Sequence, residues 1–230
     1  MNLGDRMKAY ENEKRFYLTN KVPVVVRIDG KAFHTFTKGM SKPFDEIIDK
    51  SMEYTMFHLS KIQNVYCVYR QSDEISLLFL DTVNEDTEPY FRNNLQKIVS
   101  ITASMTTYYF NQKFKELSVG TKFHDRIALF DSRAFNVPYE DVFNYFVWRK
   151  QDAYKNAVSS IAQSMYSHKQ LHKKNTQEKI EMIGDKFDNY TTEQLYGTML
   201  ISKIDKVISN FNYDSLRELV EISLKRWERC

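Results

Sequence analysis

Two apolar runs separated by a short polar break constrain the middle of this chain more than any other feature. VYCVYRQ (65–71) and ISLLFLD (75–81) are of strand length and rich in β-branched and aromatic residues, and Ser-Asp-Glu joins them. That pattern makes a hairpin. VPVVVRID (22–29) is a further short, continuous, β-branched run, as a buried strand requires, and RIALFD (126–131) supplies a fourth strand. Helical spacing fills the intervals. Ile48, Met52, Met56 and Leu59 mark one face over 45–60, with Asp45 as its N-cap, and Leu95, Ile98, Thr102, Met105 and Tyr109 mark another over 93–114. A long helix is expected from Tyr139 to about Tyr166, just after Pro138. Only six glycines and four prolines interrupt 230 residues, so elements should be long and loops short.

Strand, helix, strand, strand, helix, strand is the split βαβ order of an α+β, ferredoxin-like fold. It predicts an antiparallel βαββαβ sheet with helices on one face, and a helical C-terminal extension. The third strand should lie between the first two and antiparallel to both. Asp29, which ends the first strand, then comes beside Asp73 and Glu74, which begin the third.

Two carboxylates brought together from separate strands repel each other, and a cation between them removes the conflict. Mg²⁺ suits such a pair, because it takes oxygen ligands and uses one or two carboxylates with substrate phosphates. Gly30 allows close approach of the main chain to a phosphate. Other readings remain open. Asp-Gly after a strand also makes a hairpin turn, with AFHTFT (32–37) as the returning strand. Ser72-Asp73-Glu74 alone is an ordinary polar turn. His34 follows as a phosphate or base contact, or as a surface residue. Phe33 and Phe36 either stack on a base or pack in the core. Arg27 and Lys42 could neutralise phosphates; Arg27, in a buried strand, needs a partner that Asp73 or Glu74 would supply.

HKQLHKKNTQEK (168–179) carries Lys169, Lys173 and Lys174 and reads as an RNA-backbone contact or as a solvated face. The closing stretch SLRELVEISLKRW (215–227) has Leu216, Leu219, Val220 and Leu224 at helical spacing, to dock on the body or on a partner subunit. The net charge of +3 permits a nucleic-acid partner without demanding one. Cys67 and Cys230 offer neither a disulfide framework nor a zinc site. The charged N-terminus is no signal peptide, and no apolar run approaches membrane-spanning length, so a soluble, reduced, cytoplasmic protein without a membrane partner is expected.

Several segments in order resemble the tRNA(His) guanylyltransferase-like family, the 3′–5′ RNA polymerases. They are RIDGKAFHTFTK (27–38), KPFDE (42–46), YRQSDEISLLF (69–79), LQKIVSITAS (95–104), FHDRIALFDS (123–132) and VFNYFVWRKQDAYKN (142–156). The resemblance implies a polymerase palm at about 22–131 and a helical, basic part at about 139–230, within a single catalytic unit of 1–230. It implies two Mg²⁺ ions, GTP and ATP as substrates, tRNA as partner and a homotetramer. By matched position, Asp29, the Gly30 carbonyl and Asp73 are metal ligands, with Glu74 a further catalytic acid. Gly30, Lys31, Ala32, Phe33, His34, Lys42, Ser72, Asp73 and Lys97 would bind nucleotide. Arg27, Arg126, Asn156, Lys169, Lys173 and Lys174 would handle triphosphate or tRNA. The family's eukaryotic guanylyltransferases carry a His-Ile-Asn-Asn-Leu-Tyr-Asn segment where this chain has YKNAVSS (154–160), which keeps only Asn156. That departure implies templated repair of 5′-truncated tRNA, with a dedicated tRNA(His) guanylyltransferase as the alternative. The same element order also builds nucleotide cyclases and RNA-recognition modules. The third strand lacks the Gly-containing aromatic pattern of the latter.

Overall fold

The computed structural model describes residues 1–81, 86–202 and 204–227, with 222–227 described as backbone only. Its elements run α1 (Leu3–Glu13), β1 (Val24–Gly30), α2 (Phe33–Phe36), α3 (Glu46–Leu59), β2 (Val65–Gln71), β3 (Glu74–Phe79), α4 (Leu95–Leu117), β4 (Phe130–Asn136), α5 (Tyr139–Met165), α6 (His168–Leu171), α7 (Thr176–Ile183), α8 (Thr192–Tyr196), β5 (Thr198–Ile201), β6 (Lys206–Ile208) and α9 (Tyr213–Trp227). Among the described residues six strands form one sheet in the order β4-β1-β3-β2-β5-β6. Every pairing is antiparallel, and β3 lies between β1 and β2 as the split βαβ order requires.

Alternation of side chains along the strands builds two cores. Val24, Val26 and Ile28 of β1 with Ile75, Leu77 and Phe79 of β3 face α3 and α4. Val25, Tyr66, Leu78 and Met199 face the other way and are covered by Phe143 and Phe146 of α5 and by Leu216 and Val220 of α9. The two palm helices therefore share one face, and the opposite face is covered as well. The C-terminal helix docks on the body, where the Tyr66 hydroxyl donates to the Val220 carbonyl at 2.9 Å; Leu224 lies outside the described side chains, as Cys230 does outside the described residues.

Three boundaries differ from the sequence reading. The fourth strand is Phe130–Asn136 rather than 126–131. Its sequence FDSRAFN is polar because it is the sheet's edge, half open to water, whereas the apolar Ile127 and Leu129 before it are exposed. The C-terminal part is not wholly helical, because β5 and β6 extend the sheet beyond β2. Four-residue and three-residue strands carry too little periodicity to be read alone. AFHTFT does not return as a strand, because Ala32 turns left-handed at φ 50° and starts α2.

Among the described residues no helix is long and apolar enough to cross a membrane.

Candidate active site

The C-terminal end of β1 meets the β2–β3 turn. Asp29 is the penultimate residue of β1, and Ser72-Asp73 forms a two-residue turn in which Ser72 takes φ +50°. A β-carbon on Gly30 would lie 2.8 Å from Asp73 Oδ2 and 2.4 Å from Phe33 Cδ2, so only glycine fits where the turn crosses β1. Burial pushes the Asp73 carboxyl up to about 6, with the Asp29 and Glu74 charges adding to it and the Ser72 hydroxyl, which donates at 3.0 Å, opposing it. Two mutually repelling carboxylates beside an exposed main-chain bend make a donor set of hard oxygens that fits Mg²⁺.

Behind Gly30 lies an aromatic cluster built around Phe33. Phe33 stands 5.0 Å from Phe36, 5.7 Å from Phe110 and 5.8 Å from Phe130 between ring centres. Both Phe33 and Phe36 are buried, so neither offers a free face for stacking on a base, and Phe33 contributes only part of the floor of the adjoining cavity.

That cavity, of about 650 Å³, opens beside Asp73. His34 of α2, Lys42 and Ser72 line it, as do Asn156 and Ser160 of α5. Its volume suits a nucleotide-sized ligand. The loop carrying Lys42 is closed by Asp45, whose side chain caps α3 through Ile47 N and Ile48 N and also accepts from Ser41 N at 2.9 Å. Arg70, Gln71 and Asp49 line the cavity too and were not anticipated. Arg70 is buried and paired with Asp49 at 2.6 Å; a lone arginine inside an apolar strand run was the available signal.

The other candidates are scattered. Lys31 and Ala32 lie in the bend itself, and the Lys31 amide is spent on the Leu129 carbonyl at 2.8 Å. Arg126 donates to the Phe36 carbonyl and stacks over Phe123, so it holds the far side of α2. Lys97 is not brought to the acids. It sits in the first turn of α4, next to Ile98, which packs near Val24 and Phe79 at the opposite end of the sheet. Asn111, whose amide meets Ala128 near the acid end, is about 20 Å further along the same helix. Lys169, Lys173 and Lys174 lie on the surface of the C-terminal part, and Lys174 is held by Glu178 at 2.8 Å.

Glu74 points into the sheet face under α5. Arg149 grips it with both arms, Nε to Oε1 at 2.7 Å and Nη2 to Oε2 at 2.6 Å, and also reaches Asp152 at 3.2 Å. Burial raises the Glu74 carboxyl even against that pairing, and Arg149 stays raised because Glu74 more than offsets its own desolvation. Neither Asp73 nor Glu74 serves as the bonded partner of Arg27, whose buried Nε has no hydrogen bond among the described residues. The Arg149–Glu74 pair was not foreseen, although Arg149 and Asp152 are three apart and so share a helix face.

A family model described as tRNAHis guanylyltransferase matches residues 4–138, more than half of the chain. A bacterial tRNA(His) guanylyltransferase-like protein solved in complex with ATP superposes with a TM-score of 0.88 at 39% identity, covering 97% of this chain and 99% of its own. A bacterial protein of the same description solved with GTP gives a TM-score of 0.79 at 37% identity, over 97% of this chain and 99% of its own. The tRNA(His) guanylyltransferase of Candida glabrata is 31% identical over 163 residues, 66% of this chain and 67% of its own length.

Proposed function

Because the chain belongs to the tRNAHis guanylyltransferase family, and is thereby a tRNA nucleotidyltransferase, we propose that it repairs 5′-truncated tRNA by templated addition in the 3′–5′ direction. The observation that carries the chemistry is the proximity of Asp29 to Asp73, which lines a cavity large enough for a nucleoside triphosphate. Solved relatives bound to ATP and to GTP support those nucleotides as substrates. Asp29, Asp73 and the Gly30 carbonyl would hold two Mg²⁺ ions, which supply charge neutralisation of the phosphates and a more acidic attacking hydroxyl. Gly30 leaves room for the phosphates above the bend. Lys42, His34 and Ser72 offer donors along the cavity wall, and Asn156 and Ser160 close its far side. The Glu74–Arg149 pair keeps the Asp73 turn in place without presenting a free carboxylate. Assembly as a homotetramer in the cytoplasm belongs to the same reading, and light scattering of the purified protein tests the assembly.

Selection by the opposite tRNA strand is supported by what lines α5. In YKNAVSS, Tyr154 is stacked on Tyr196 at 4.9 Å, and Ala157 and Val158 are in the third core. Asn156 and Ser160 are left as its polar groups at the cavity. With so few fixed partners for a base, discrimination falls to pairing, where a mismatch forfeits about 1–2 kcal/mol of stacking per step. A tRNA lacking its first nucleotide, with cytidine opposite the gap, should accept guanosine; adenosine there should switch acceptance to uridine. Guanosine addition that ignores the opposing base would identify a dedicated tRNA(His) guanylyltransferase instead.

The basic surface provides a second check. Among the described residues Lys169 and Lys173 carry no ion pair, unlike Lys174. Neutralising both should weaken tRNA binding and flatten the log–log salt dependence by about 0.7–0.9 for each phosphate no longer neutralised, with nucleotide affinity unchanged. An unaltered salt slope would make this segment a solvated face only.

A further inference from the structure

The sheet face that carries Asp29 runs under α5, and that helix presents an exposed indole beside it. Arg27 lies two residues before Asp29 and so on the same face, opposite Ser76 on β3 and Arg133 on β4. Ser76 is bonded to the Tyr145 hydroxyl at 2.9 Å, and the Tyr145 ring stands edge-on to Trp148 at 5.8 Å. Trp148 is 51% exposed, although its neighbours on α5, Tyr145 and Arg149, are buried. One side of the indole is covered by the Arg149 guanidinium at 4.6 Å, whose charge the Glu74 carboxylate holds in place. A large aromatic ring is thus fixed on a helix, next to a sheet face carrying two arginines, beside a phosphoryl-transfer site. Arg133 is partly engaged by Asp131 at 3.2 Å, and the buried Nε of Arg27 has no acceptor among the described residues.

We infer that Trp148 is the stacking platform for a base at the 5′ end of the acceptor RNA. This rests on the reading of the chain as a 5′-end tRNA nucleotidyltransferase and says where that end lies. Positive charge beside an aromatic face is the combination that single-stranded nucleic acid takes, because every base has a face to stack and every linkage a charge to neutralise. The occupant is not the nucleotide held in the cavity. Asn156, on the cavity wall, is two four-residue steps along α5 from Trp148, about 12 Å along the axis. The indole therefore lies away from that wall of the cavity, next to Arg149, which grips Glu74 beside Asp73.

The test uses the chain's other tryptophan as a blank: in a Trp227→Phe background Trp148 is the sole indole. Adding a 5′-truncated tRNA should quench its fluorescence, and the same RNA with an abasic first nucleotide should quench it far less. Trp148→Ala should raise KM for tRNA about tenfold, leave KM for ATP and GTP unchanged, and be largely rescued by Trp148→Phe. Full nucleotide addition with no quenching, or an unchanged tRNA KM in Trp148→Ala, would overturn the inference. Fluorescence that follows protein concentration rather than RNA would also overturn it, and would give the indole to a contact between copies of the chain. If Trp227→Phe protein extends no RNA but is quenched by it, the inferred platform stands, and the proposed reaction is what fails.

Discussion

Asp73→Asn should abolish nucleotide addition and, in the absence of Mg²⁺, raise the melting temperature at pH 7.5. Both effects have one origin. The carboxyl is pushed from 3.8 up to about 6 by burial first, then by Asp29 and Glu74. An acid raised in the folded state binds its proton more tightly there than in the unfolded chain. The native state therefore loses stability as pH rises from about 4 to about 6, by an amount on the order of 1–3 kcal/mol. Asparagine removes the charge that causes the loss, and for a chain of this size each kcal/mol regained is worth about 2–4 °C. Mg²⁺ should raise the wild-type melting temperature by favouring the native state, and should shift the variant little. The rate should fall on the order of a thousandfold or more, because the charge of the transferring phosphates is then left uncompensated. Addition within tenfold of wild type, or an equal Mg²⁺ shift in both proteins, would sink the assignment of Asp73 as a ligand.

Arg149→Met should destabilise the protein by about 3–5 kcal/mol. It strands the Glu74 carboxylate, whose side chain is 9% exposed, without its bidentate partner. The unpaired acid should titrate still higher, so the deficit in melting temperature should shrink as pH falls from 8 to 5 and Glu74 takes up its proton. Arg149→Met with Glu74→Gln should recover much of the loss, because an amide buried without charge costs less than a carboxylate. Glu74→Gln alone should leave Mg²⁺ affinity intact, since Arg149 already takes both carboxylate oxygens. A large fall in Mg²⁺ affinity in that variant would instead make Glu74 a metal ligand. A melting temperature unchanged in Arg149→Met would refute the structural role of the pair.

How legible each part was follows from the range of the interaction that decides it. The α3 and α4 helices were read within a few residues of their ends, because a cap such as Asp45 and a stripe such as Ile48, Met52 and Met56 act within a few turns. The meeting of Asp29 with Asp73 could be anticipated because strand order alone brings those two ends together. β4 was misplaced because an edge strand needs little apolar surface, and Ile127 and Leu129 imitate a core strand while standing in water. Lys97 was assigned to the site by matched position, but the direction of α4 carries it to the other end of the sheet.

From its sequence alone this chain determined the alternation that buries one side of each strand, the glycine where no β-carbon fits, and the carboxylates at two strand ends. These are local properties: period, cap and steric allowance depend on neighbours along the chain. Tertiary structure alone decided which charges are answered. Glu74 and Asp73 are adjacent, yet one faces Arg149 under α5 and the other crosses Gly30 toward Asp29. A partner for a buried charge is set by what packs across the sheet, 75 residues away in the case of Arg149. The cost of leaving such a charge unpaired depends on that packing, not on the residues beside it in the chain.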